Sequence, residues 1–429
     1  MSLDTTPARP VELPPAEHSE STTLANDASR LPLLIALIFS HFLVDTCAVL
    51  IGPLWGMLKD QFNWGHSALS LVLTVQALSP SLSQAAFGYF RDRREARYLL
   101  WLGPMVAAIC ASVIGWITDS VLLCATLFLA GVGVGAYHPE AAVSASRIYP
   151  QHKTRTLSLF LFGGCVGLAA GPIISGLTVK YFGGIKGLIV IGPIFMIMIG
   201  LTYWLGLSRI PYQSARPAGP AKSMHQMLEG KIGLALLILL TSSLRLVPNM
   251  AMDKLLAFYL SAKGADPFKI GCYQSVFLAS ASIGMLLMAW RFPAGGERKS
   301  MIICPIIGLP LMWGLSIEDA PAWMMLLLLI PSGAILWGTT SAIVSFAHQQ
   351  FPQGAGLASA LTMGVSWGVG GIVQAQLTSV FVAQGHPQRA FLAFMPCLLI
   401  SAIGAYFLPR HKPADIHATK TIYAEDAAM

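Results

Sequence analysis

Residues 31–52 read LPLLIALIFSHFLVDTCAVLIG. The stretch exceeds the ~20 apolar residues that cross a ~30 Å hydrocarbon core, yet it contains His41 and Asp45. In water that pair would carry no message. In a bilayer an ionisable side chain is costly and marks a functional site. The solvent of this one segment therefore decides how the chain is read.

Composition answers for the whole chain. Of 429 residues, 55% are hydrophobic and 11% charged, against about a quarter charged in soluble domains. Apolar blocks recur at 31–58, 67–90, 98–118, 121–146, 156–182, 186–208, 231–260, 269–291, 300–317, 322–347, 356–383 and 388–409. They are too long and continuous for strands. The fold class is an all-α polytopic membrane protein with twelve transmembrane helices. Residues 1–30 are rich in Pro, Glu, Ser and Thr and lack a charged-then-apolar signal pattern, so they are expected to form a disordered cytoplasmic tail. Residues 410–429 form the other tail. The 7 cysteines lie within or beside apolar blocks and show no CxxC spacing, which reads as small buried hydrophobes.

The net charge of +7 is a topology signal rather than a nucleic-acid footprint. Most of the 27 Lys and Arg fall in the tails and in the loops after helices 2, 4, 6 and 8. This bias places both termini in the cytoplasm, and in a bacterium the membrane would be the inner one. The widest polar gap, 209–230, separates a bundle at 31–208 from one at 231–409. The halves match when the chain is slid by about 201 residues. Arg97 then falls on Arg298, Pro104 on Pro305, and SLFLFGGCVG (158–167) on SALTMGVSWG (359–368). A duplicated six-helix unit places a substrate site near the midplane between two pseudo-symmetric bundles.

After helix 2 comes GYFRDRREAR (88–97). Through Gly88, Asp92, Arg93 and Arg97 it resembles the loop pattern G-x-x-x-D-R-x-G-R-R of the major facilitator superfamily. It departs at Glu95 and Ala96, and the second copy, RFPAGGERKS, has lost the Asp. The resemblance implies a gating loop whose charges belong mainly to the first half. Helix 5 carries GLAAGPIISG, with Gly167, Gly171, Pro172 and Gly176. It resembles the glycine-proline motif of superfamily antiporters, although small residues also serve plain helix packing. SHFLVDT, GVGVGAYHPE and FP…GLASALTMGVSWGVGG together resemble the fosmidomycin-resistance-type branch. Where many drug–proton antiporters carry an arginine in helix 4, this chain has Leu127.

The intramembrane polar residues are the candidate substrate and proton pathway. His41 and Asp45 are four apart, on one helix face. A carboxylate about 21 Å along the helix is costly to keep charged without a partner. That suits a reversible proton carrier, or else requires a permanent partner. Arg245 in helix 7 is expected at similar depth, facing Asp45 or sharing the substrate with it, or holding an anionic ligand. His138 in helix 4 lies about 26 Å from the outer start, at the cytoplasmic end of the core. His138 and Glu140 are about 200° apart, which excludes a helical two-His metal site. Either one faces the cavity, or they tie helix 4 to its neighbours or to the arginines after helix 2. Asp253 and Lys254 are expected at an external gate or surface. Gln76, Asn249, Gln374 and Gln376 are expected in interhelical hydrogen bonds, and Trp337 and Trp367 in packing.

These features point to a secondary transporter working by alternating access as a monomer, without a cofactor. Its partners would be protons, a small-molecule substrate and the lipid bilayer, with no nucleic acid. The favoured reading is proton-coupled efflux of a small drug-like or anionic compound, with Asp45 on the proton route and Glu140 as a second candidate; the resemblance implies drug efflux. Import of an organic anion and a non-transporting receptor or scaffold are the alternatives. An enzyme would need a clustered set such as HExxH, and an ATP-driven pump GxxxxGK[ST]; the chain has neither.

Overall fold

A computed structural model describes residues 19–94, 96–210, 223–292 and 295–410. The helices are α1 (Ser19–Val49), α2 (Trp55–Gln61), α3 (His66–Arg93), α4 (Leu99–Val113), α5 (Ser120–Ile148), α6 (Lys153–Tyr181), α7 (Ile191–Leu205) and α8 (Met224–Met227). Then follow α9 (Ile232–Ala262), α10 (Pro267–Arg291), α11 (Glu297–Leu315), α12 (Ala322–Gly338), α13 (Thr340–Gln350), α14 (Ala355–Ser359), α15 (Ser366–Ala383) and α16 (Arg389–Phe407). A π-type turn, Ala360–Val365, joins α14 to α15. No strand occurs among the described residues.

Eleven stretches are long and apolar enough to span a membrane. The second expected span, α3, is a 28-residue helix in its place, but it is rich in Ser, Thr and Gln and lies outside that set. Helix α1 already runs from Ser19, inside the segment assigned to the tail, because the Ala and Leu of TLANDASR suit a helix. Residues 1–18, 211–222 and 411–429, which hold the rest of the tails and the linker, lie outside the described residues.

The duplication is visible in the packing. In the first bundle α1 packs on α6, α3 on α5, and α4 on α7. In the second, α9 packs on α15, α10 on α12, and α11 on α16, which are the same pairs in the duplicated copy. Between bundles the contacts obey the same exchange, α3 against α15 and α6 against α10. Two arginines mark it again. Arg97 donates through Nη2 to the carbonyl of Ile210 after α7, and Arg298 through Nη2 to that of Tyr406 in α16. Each ties the foot of one helix to the end of the bundle's last.

Large apolar side chains also face outward, with Trp290 83% and Ile197 72% exposed. Lipid is as apolar as these residues, so helix contacts rest on small residues and polar groups instead. One end is sealed this way. After Leu50 the chain turns through Gly52–Leu54 into α2, which packs on α9. A Cβ on Gly56 would collide with Ser261, and one on Gly52 would lie 3.0 Å from Gln274 Oε1. His66 Nδ1 lies 3.0 Å from Ser379 Oγ across the same boundary.

Candidate functional site

Helix periodicity puts His41 and Asp45 one turn apart on α1, and α5 brings His138 against them. Asp45 pairs with both rings. His41 Nε2 lies 3.3 Å from Oδ2 and His138 Nε2 3.2 Å from Oδ1. The far nitrogen of each ring meets a backbone carbonyl, His41 Nδ1 at 2.8 Å from Phe160 O and His138 Nδ1 at 2.7 Å from Val134 O. The His41 ring also stacks on Phe160 at 4.1 Å, and Tyr137 donates to the carbonyl of Leu37 at 3.3 Å. His41 is buried, with 4% of its side chain exposed, whereas Asp45 shows 11% and His138 24%.

Helix α6 makes room for this cluster. A Cβ on Gly164 would stand 2.5 Å from both Asp45 Oδ2 and His41 Nε2, so only glycine fits there undisturbed. In the sequence Gly164 stands out only within the repeat; the Gly163-Gly164 pair is the one local sign of a close helix approach. A cavity of about 90 Å³ lies within the same bundle, lined by Cys47, Gln76, Pro80, Leu127, Gly131 and Val134 among others; His41, Asp45 and His138 are not in its lining. Gln76 Oε1 has no hydrogen-bond partner among the described residues, and the rest of the lining is mostly apolar. The donor atoms of His41, Asp45 and His138 lie within 4.8 Å of one another. That spacing admits a cation as well as protons, but the direct pairing of both imidazoles with the carboxylate favours protons.

The structure brings His138 beside Asp45, where counts from the two helix ends expected them at different depths. It also corrects the expected pairing of Asp45 with Arg245. Arg245 is 1% exposed inside the second bundle, and its Nη1 donates to Leu336 O at 3.1 Å and Thr340 Oγ1 at 3.3 Å. Asn249 Nδ2 donates to the same Leu336 carbonyl at 2.9 Å. These two side chains serve the step where α12 gives way to α13. In the duplicated copy the corresponding step in α5 is at Pro139, which lacks an N–H for the carbonyl of Gly135.

Glu140 points away from His138, as its 200° offset requires. It is fully buried and faces Arg91 Nε at 3.5 Å, at the end of α3. Gly88 lies against Pro139. The side chains of Asp92 and Arg93, and the whole of Glu95, lie outside the described residues. The helix-5 glycines divide their work: Gly167 and Gly171 abut α1 at Phe42 and Val49, whereas Gly176 abuts Phe268 of the other bundle, beside the Gly271–Pro172 contact. Lys254 is buried at the sealed end, 3.0 Å from Asp253 Oδ1, and Gln274 donates to the Asp253 carbonyl. Asn249 makes the interhelical bond expected of it, but Gln374 has no hydrogen-bond partner among the described residues. Trp337 and Trp367 pack edge to face at 5.6 Å.

A family model described as Major Facilitator Superfamily matches residues 37–375. The fosmidomycin resistance protein of Escherichia coli (strain K12) is 25% identical over 412 residues, covering 93% of this chain and 98% of its own. The uncharacterized MFS-type transporter YfnC of Bacillus subtilis (strain 168) is 23% identical over 92% of this chain and 97% of its own. Among solved structures, a bacterial homolog of the human lysosomal transporter Spinster, inward-facing and unoccupied, superposes with a TM-score of 0.71 at 12% identity, covering 90% of this chain and 99% of that one. A D-xylose–proton symporter superposes with 0.69 at 15% identity, over 88% and 98%.

Proposed function

We propose that this chain, which belongs to the Major Facilitator Superfamily, is a proton-coupled exporter of a small drug-like or anionic compound. It is an integral membrane transporter, not an enzyme. It works as a monomer by alternating access, with both termini in the cytoplasm, a side the Lys and Arg distribution supports.

The observation that carries the reading is Asp45, a carboxylate inside a membrane-spanning helix whose ion-pair partners among the described residues are two histidines. Arginine or lysine would hold a carboxylate charged through the cycle; histidine can give up its proton near neutral pH. A group that gains and loses protons between two bundles that rock around it couples proton entry to the exchange of cargo. The glycine-proline motif of α6 and the likeness to a fosmidomycin resistance protein support the outward direction. Glu140 and Arg245 are support residues in this proposal. Glu140 holds α5 to α3, and Arg245 reaches cargo only if the α12–α13 step opens.

The test is tolerance followed by flux. Expression in a sensitive host should raise tolerance to fosmidomycin or another compound in an antibiotic panel, and Asp45→Asn should abolish the gain. Everted vesicles acidified inside should then accumulate that compound as protons leave. Accumulation driven by the opposite gradient would make the chain an importer, and full activity of Asp45→Asn would remove the site.

A further inference from the structure

We propose that the His41–Asp45–His138 cluster holds two mobile protons together, so that one turnover exchanges two protons rather than one. The inference deepens the proton-site reading above and rests on it.

The argument is a count of hydrogen-bond donors. A backbone carbonyl only accepts. Because His41 Nδ1 faces Phe160 O and His138 Nδ1 faces Val134 O, both rings carry a hydrogen on Nδ1. A neutral ring in that tautomer offers Asp45 only the lone pair of Nε2. With no further proton, two lone pairs confront the two oxygens of a carboxylate and the cluster carries a charge of −1. With one added proton a single contact becomes a hydrogen bond, while the other stays lone pair against lone pair. Only two added protons satisfy both contacts, at 3.3 and 3.2 Å. They sit as two imidazoliums around a carboxylate, or as one imidazolium and one neutral imidazole around a carboxylic acid. Both forms carry +1.

The surroundings supply no substitute for these protons. On α1 the neighbouring titratable group is the Cys47 thiol, on α5 the Tyr137 hydroxyl, and on α6 the Cys165 thiol. Glu140 and Arg91 pair with each other on the opposite face of α5. Among the described residues no lysine or arginine is paired with Asp45. Gly164 leaves Asp45 room to meet both rings at once. The count has a thermodynamic consequence. At zero membrane potential and for an uncharged cargo, one unit of pH gradient sustains about a hundredfold cargo gradient with two protons, and about tenfold with one.

The decisive measurement needs no cargo, so it can fail independently of the transport reading. Nitrogen-15 NMR of the full-length chain, labelled at histidine and held in micelles, reports the proton on each ring nitrogen. His41→Gln and His138→Gln assign the two signals. We expect Nδ1–H in both rings throughout the titration, and on acidification Nε2–H in both. Where the carboxylic-acid form is populated, the second Nε2 signal is exchange-averaged with Asp45. In Asp45→Asn the amide accepts from one ring and donates to the other, so the protons held should fall from two to one. A ring that stays neutral at every pH while the carboxyl carbon-13 shift shows Asp45 still ionised, or a ring found as the Nε2–H tautomer, overturns the proposal. So does an Asp45→Asn protein that still holds two. Should the tolerance screen yield a cargo, a tenfold rather than hundredfold limiting gradient overturns it as well.

Discussion

Replacing Gly164 by alanine adds one methyl group at the point where α6 meets the cluster. The new Cβ would stand 2.5 Å from Asp45 Oδ2 and from His41 Nε2. Carbon–oxygen contacts settle at about 3.3–3.6 Å, so the carboxylate and the ring must each retreat by roughly 1 Å. Their present separation of 3.3 Å would then open beyond hydrogen-bonding range. A hydrogen bond to a charged group contributes about 1.5–3 kcal/mol, so the competent arrangement should be depopulated about ten- to a hundredfold. Proton-driven flux in everted vesicles should fall by that factor. The matched control is Gly200→Ala, whose Cβ meets nothing within 4 Å. If Gly164→Ala keeps the native flux and pH profile while folding normally, the cluster does not couple.

Glu140→Gln takes a charge from a fully buried site facing Arg91; thermal unfolding should show a loss of up to about 3 kcal/mol, with the pH dependence of flux unchanged. Arg245→Gln removes charged hydrogen bonds at the α12–α13 step and should cost about 1.5–3 kcal/mol of stability, leaving the KM for cargo alone. A change in KM without a change in stability would instead put Arg245 in contact with cargo. Gly56→Leu cannot pack against Ser261 at the sealed end, so a cysteine introduced as Gln274→Cys should label faster with a water-soluble maleimide; unchanged labelling would refute the seal.

The helices, the duplication and the His41–Asp45 face were legible because each rests on periodicity or on a repeat, both local properties of a sequence. The partner of Asp45 was not, for two different physical reasons. A repeat offset fixes depth but not rotation. Asp45 aligns with Leu246, and the neighbouring Arg245 is turned by about 100°, enough to send it into the second bundle instead of toward Asp45. Depth counted from one helix end assumes that the end lies at the membrane surface. Helix α5 has 29 residues, roughly 43 Å, which overshoots the ~30 Å hydrocarbon core and brings His138 down to Asp45. The Glu140–Arg91 pair joins elements that are far apart in sequence, but the turn-by-turn offset of Glu140 from His138 already separated their roles.

The two copies share their scaffold but not their chemistry. His41 bonds to the carbonyl of Phe160, and its counterpart Ser242 reaches the carbonyl of Thr362, one residue from the matching place. Yet the counterparts of His41, Asp45 and His138 are Ser242, Leu246 and Thr339, none of which titrates. On the proposed proton coupling, energy enters through one lobe only. The silent lobe is then free to drift toward new cargo without disturbing the fuel line, and resistance to new compounds should arise from mutations there first.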